Sequence, residues 1–119
     1  MVKDKLVEFQ EKIKIKFNNI EFLKQSLIHK SFNNDMNNEK LEFLGDRVLG
    51  LILSKALLEI YPDEKEGIID KKFANLVNKK ICFEVGKELK LKKYMIVGES
   101  YKGLKKSDEK IVSDCLEAL

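Results

Sequence analysis

The stretch Asn38-Glu39-Lys40-Leu41-Glu42-Phe43-Leu44-Gly45-Asp46-Arg47-Val48-Leu49-Gly50-Leu51-Ile52-Leu53-Ser54-Lys55-Ala56-Leu57-Leu58-Glu59-Ile60-Tyr61 decides how this chain folds. Read at about 100° per residue, Leu41, Leu44, Val48, Leu51 and Ile52 share one helix face, and Glu39, Glu42 and Asp46 fall together on the opposite side. A surface helix keeps that opposite side polar along its whole length. Here the line continues as Gly50, Leu53 and Leu57, so the helix is apolar on nearly every side after its second turn. The pattern predicts a buried central helix that carries three carboxylates into a region mostly removed from water. Burying a carboxylate is costly unless a cation compensates it. A metal ion is the natural compensator.

Outward from this helix the signals are again helical. Leu6, Phe9 and Ile13 have helical spacing, which predicts a first helix over the opening dozen residues. Ile13, Ile15 and Phe17 alternate with lysines and favour a strand locally; with no partner strand elsewhere, helix is the preferred reading. Asn18-Asn19 breaks the pattern, and Phe22, Leu23, Ser26, Leu27 and Lys30 predict a second short helix ending near Phe32. The polar loop Asn33-Asn34-Asp35-Met36-Asn37-Asn38 offers Asn37 or Asn38 as N-cap of the central helix. Pro62 ends that helix, because the residue before a proline avoids the helical region. Ile69, Phe73, Leu76, Val77, Ile81, Val85 and Leu89 form one long stripe, with Lys71, Lys72, Lys79 and Lys80 on the solvated side. Tyr94 to Lys106 reads as loop, and a last helix starts near Ser107 or Asp108. The expectation is an all-α fold, one domain over residues 1–119.

Composition limits the function classes. The 119 residues are enough for one modest core and too few for two. With 44% hydrophobic and 36% charged residues the chain is neither disordered nor membrane-like, and its longest apolar run, Val48 to Leu53, is far too short to span a bilayer. Net charge is only +3, and of the 23 basic residues only Arg47 is an arginine, so phosphate contacts would be made by lysine point charges. Cys82 and Cys115 lack metal-ligand spacing and sit in apolar helical patterns, as reduced thiols of a cytoplasmic protein do. The charged N-terminus leads into no signal-type run.

Two acidic clusters carry the chemistry. Glu42 and Asp46 are spaced i, i+4 and stack on one helix face beside Glu39. Asp114 and Glu117, spaced i, i+3, lie among Ile111, Val112, Cys115 and Leu116 in the last helix. Acids at such spacing usually mark a solvated face. Like charges there also destabilise an isolated helix, so helix stability does not account for them. Two helices packed side by side would turn the pairs into one four-carboxylate site. Oxygen-only ligands select Mg²⁺ or Mn²⁺ over zinc. A di-iron carboxylate bundle needs Glu-x-x-His pairs. The single histidine, His29, lies in another segment and reads as structural.

Asn38-Glu39-Lys40-Leu41-Glu42-Phe43-Leu44-Gly45-Asp46 resembles the signature motif of the ribonuclease III family of double-stranded-RNA endonucleases. Gln25-Ser26-Leu27-Ile28-His29-Lys30-Ser31-Phe32, Glu66-Gly67 and Ser113-Asp114-Cys115-Leu116-Glu117-Ala118-Leu119 match the bacterial enzymes in order and rough spacing, so the resemblance covers almost the whole chain. It implies that Glu42, Asp46, Asp114 and Glu117 bind Mg²⁺, with Asp46 and Glu117 catalytic, for phosphodiester hydrolysis leaving 5′-phosphate and 3′-hydroxyl ends. Glu39 and Glu66 match further acids with a supporting role, and Phe43 matches a position that reaches into the partner of a homodimer. The family's usual substrates are ribosomal and messenger RNA precursors. Lysines 71, 72, 79, 80, 92, 93, 102, 105 and 106 are candidates for contact with the RNA backbone. The bacterial enzymes continue into the rest of the domain and a separate RNA-binding domain, so the expectation is a truncated form whose own activity is in question. The alternative is a non-catalytic helical module that binds duplex RNA or dimerises.

Overall fold

A computed structural model describes residues 2–99 and 108–119. Lys102, Lys105 and Lys106 lie outside the described residues. Seven helices form among those described: α1 (Val2–Ile13), α2 (Ile20–Leu27), α3 (Glu39–Ile60), α4 (Glu66–Leu76), α5 (Lys79–Glu88), α6 (Leu91–Tyr94) and α7 (Asp108–Ala118). No strand forms there; an isolated parallel bridge joins Ile28 to Ile96. The all-α expectation holds.

The core is built at one end of the chain's central helix, not around it. Leu6 and Phe9 of α1, Leu23 and Leu27 of α2, Leu91 and Tyr94 of α6, and Val112 and Cys115 of α7 make one buried cluster. The Phe9 and Tyr94 rings meet at 4.8 Å between centroids. Helix α2 starts on Asn19, whose side chain accepts from the Glu21 amide at 3.0 Å. It ends at Leu27, where the chain turns extended to pair with Ile96: the Ile96 amide donates to the Leu27 carbonyl at 2.8 Å and the His29 amide to the Ile96 carbonyl at 2.9 Å. The expected extension of this helix to Phe32 is therefore replaced by a bridge. His29 is structural, as expected. Its Nδ1 accepts from the Ser31 amide at 3.1 Å, and burial holds its pKa below the ordinary value, with Lys30 adding to the effect.

Three further expectations need correction. Helix α1 stops at Ile13, and Lys14 takes a left-handed φ of 59°, so residues 15–17 are neither helix nor strand. The Phe17 amide is held instead by the Gln10 side chain at 2.7 Å. The long stripe from Ile69 to Leu89 is two helices. Asn78 caps α5 by accepting from the Ile81 amide at 2.9 Å, so the chain breaks between Leu76 and Lys79.

The third correction concerns α3, which is not buried. Leu57 is its one buried residue among those described, while Leu44, Val48, Leu51 and Ile52 are 58%, 45%, 72% and 59% exposed. Helix α7 meets α3 at Gly45, but around that contact Leu44, Val48 and Ile52 line an open cavity with Leu76, Ile81 and Val85 and are not packed shut. Among the described residues no helix is long and apolar enough to cross a membrane.

Candidate metal centre

The start of α3 is fixed from the side. The Asn37 side chain accepts from the Glu39 amide at 3.0 Å, while Asn38, at the cap position, turns its side chain to the Ser26 carbonyl at 3.0 Å. Both asparagines thus contribute, in different ways. The Cys115 thiol also points to the Ser26 carbonyl, at 3.5 Å. One carbonyl at the end of α2 therefore ties together the two helices that carry the acids. Cys115 is fully buried, which pushes its thiol up to about 12 and leaves it inert. Cys82 and Cys115 are both free and buried, as expected.

Gly45 permits the approach of α3 to α7. A methyl group there would overlap the Glu117 carbonyl, so only glycine lets the two backbones lie this close. The contact falls one residue before Asp46 and at Glu117 itself. It brings the two acidic pairs to one place.

Glu39, Glu42 and Asp46 of α3 and Asp114 and Glu117 of α7 line a single cavity of roughly 430 Å³. Glu66 does not line it; it lies with Ser54, Asp70 and Phe73 at a separate cavity beside α4. The expectation that the carboxylates are mostly removed from water is not met. Glu39 is exposed, the other four are half-buried, and the cavity is open. Crowding still shows in their acidity. Burial raises Glu117 to about 7, helped by the charges of Asp46, Glu42 and Asp114 and opposed by Lys79. Glu42 is raised as well, by burial and then by Asp114.

Three basic side chains share the cavity: Arg47, Lys79 and Lys110. The Arg47 guanidinium donates to Asp46 at 2.8 Å and lies 4.3 Å from the centroid of the Phe43 ring. Lys110 donates to Asp114 at 2.8 Å. Arg47 and Lys110 carried no assigned role in the sequence reading. Arg47 directly follows Asp46 and Lys110 precedes Asp114 by one helical turn, positions that put them near the cluster without showing which acid each reaches. Phe43 is 62% exposed, which excludes a core aromatic.

The donor set fits a hard cation, because the acids in the cavity offer only oxygen and neither cysteine nor His29 lines it. Among the described residues no three His, Cys, Asp or Glu side chains are gathered tightly enough to ligate one ion as they stand. Asp46 and Asp114 are turned to cations of their own chain.

Helices that bring acids from two separate segments into one open cleft define a helical domain with a carboxylate centre. The chain belongs to the ribonuclease-III-like family, whose model matches residues 19–119. It is 55% identical over 113 residues to Ribonuclease 3 of Pelagibacter ubique, covering 95% of this chain and 51% of that protein. With Ribonuclease 3 of Borreliella afzelii it shares 37% over 124 residues, covering 98% and 50%. The nuclease domain of ribonuclease III from Campylobacter jejuni superposes with a TM-score of 0.88 at 32% identity, over 92% of this chain and 78% of that one. That structure is described for flexibility in a region involved in dimer formation. The chain spans about half the length of the curated relatives it matches.

Proposed function

We propose that this chain is the nuclease part of a Mg²⁺-dependent endoribonuclease that cuts double-stranded RNA, leaving 5′-phosphate and 3′-hydroxyl ends. The observation that carries the reading is the convergence of Glu42, Asp46, Asp114 and Glu117 from α3 and α7 on one cavity. These four would hold the ion, with Mn²⁺ able to replace it. A bound divalent ion supplies Lewis acidity, making water a competent nucleophile at neutral pH and neutralising phosphate charge. The protein's part is positional. Asp46 from α3 and Glu117 from α7 would hold the ion where the two helices meet at Gly45, and Glu39, exposed at the cavity, would add a supporting acid. Glu66, at the separate cavity beside α4, would act as a supporting acid outside the ion's own ligands.

Substrate contact follows from charge. Lys79 lines the cleft, while Lys71, Lys80, Lys92 and Lys93 are exposed and Lys72 is half-buried. Such contacts track the RNA backbone and weaken steeply with salt. A homodimer would present two such clefts, one to each strand, with exposed Phe43 reaching the partner. Ribosomal and messenger RNA precursors are the substrates this reading favours.

The test is replacement of Asp46 or Glu117 by Ala in the full-length protein. Cleavage of duplex RNA should fall by at least about a thousandfold while binding stays within a few-fold, and chelator should abolish wild-type cleavage. Cleavage that survives either replacement would remove that acid from the mechanism. Binding without chelator-sensitive cleavage would favour the non-catalytic module.

A further inference from the structure

Lys110 occupies an unusual place for a lysine. It is the third residue of α7, near the positive end of the helix dipole, where a cation is disfavoured. It precedes Asp114 by four residues, the weaker orientation for a helical ion pair, in which the acid is better placed first. Helix stability therefore does not explain it. Its ammonium nevertheless reaches Asp114 at 2.8 Å, and the two side chains differ sharply in exposure: 66% for Lys110 and 14% for Asp114. The lysine bridges from solvent to the more sheltered acid of the cleft.

We propose that Lys110 is the chain's own competitor for Asp114, holding the carboxylate in place and limiting how tightly a divalent ion is bound there. The inference rests on the metal-centre reading above. The ammonium on Asp114 Oδ2 takes up one of the lone pairs a ligand oxygen would offer, and two cations on one carboxylate repel each other. Mg²⁺ also demands near-ideal octahedral geometry at about 2.1 Å, which leaves little room for an ammonium on the same oxygen. Binding of the ion therefore exchanges Lys110 off Asp114 toward solvent, at the mouth of the cleft where RNA phosphate would approach. Arg47 differs, because its partner Asp46 is itself 44% exposed and its guanidinium is also held over Phe43.

The experiment is Mn²⁺ titration of the chain, followed by the electron paramagnetic resonance of the free ion. Wild type is compared with Lys110→Met, Lys110→Arg and Lys79→Met. Lys79 lines the same cavity with no ion pair within 4 Å among the described residues, so it controls for net charge. Lys110→Met should bind Mn²⁺ about two- to fivefold tighter, Lys110→Arg should match wild type, and Lys79→Met should gain clearly less. Lys110→Gln repeats the measurement if Lys110→Met folds poorly by circular dichroism. No tightening in the neutral variants, or an equal gain in Lys79→Met, overturns the competitor role and leaves the metal centre standing. No Mn²⁺ binding by any chain overturns both.

Discussion

Glu117 carries the largest carboxyl shift among the described residues, and it is the last acid of α7. Burial, then the charges of Asp46, Glu42 and Asp114, lift its carboxyl from 4.5 to about 7. A carboxyl whose folded pKa exceeds its unfolded value binds its proton more tightly in the folded chain. Its contribution therefore favours folding most at low pH and declines as pH rises from about 4.5 through about 7. Glu42 acts in the same direction. The urea midpoint of the wild type should fall across this window, and Glu117→Gln should flatten the fall. A midpoint with the same slope in both proteins would mean that Glu117 is not raised. The same shift governs ligation, because a metal needs the ionised carboxylate. Divalent affinity should climb as pH approaches about 7 and level off above it, in calorimetric titrations at constant ionic strength.

At the scale of elements, the centre depends on how closely α3 and α7 pack, and two glycines of α3 separate packing from propensity. A methyl at Gly45 meets the Glu117 backbone carbonyl, which cannot swing aside as a side chain can. Gly45→Ala gains up to about 1 kcal/mol of helix propensity but loses about 1–3 kcal/mol to overpacking. The overlap wins, so the variant should be destabilised and should lose divalent affinity although every acid is intact. A methyl at Gly50 has the Phe73 ring edge at 3.6 Å, an ordinary contact. Gly50→Ala should be neutral or stabilising by up to about 1 kcal/mol. Equal stability changes in the two variants, measured by urea unfolding, would refute the close-approach role of Gly45.

The same elements show what was legible in the sequence. Pro62 and the asparagines before Glu39 bounded α3 to within a residue or two, and the paired spacings of Glu42 with Asp46 and Asp114 with Glu117 pointed to the shared cleft. The break at Asn78 was hidden, because α4 and α5 keep their apolar residues in one continuous period and the cap is a single side chain. Lys14 ends α1 in a left-handed conformation without a glycine to announce it. Lys110 and Arg47 were hidden for a different reason. Spacing shows which residues share a face, but not which ammonium or guanidinium reaches which acid.

For the whole molecule, the apolar α3 has more surface than the described residues cover. Leu44, Leu51 and Leu58 recur every seven residues, fall on nearly one side of the helix, and are 58%, 72% and 59% exposed. Apolar residues contiguous along two turns and more mark an interaction surface more often than an ordinary monomer surface. The Campylobacter nuclease domain, of similar fold, has a region involved in dimer formation, which makes a second copy the partner to test first. A lysine at Leu51 would place a charge in the middle of such an interface at little cost to the separate chain, where the residue is already mostly solvated. Leu51→Lys should therefore shift sedimentation equilibrium toward monomer at micromolar concentration while changing the stability of the monomer by no more than about 0.5 kcal/mol. Phe43→Ala should act in the same direction more weakly, since its ring is also held by Arg47 within its own chain. Unchanged association in Leu51→Lys would exclude this face as a contact between copies.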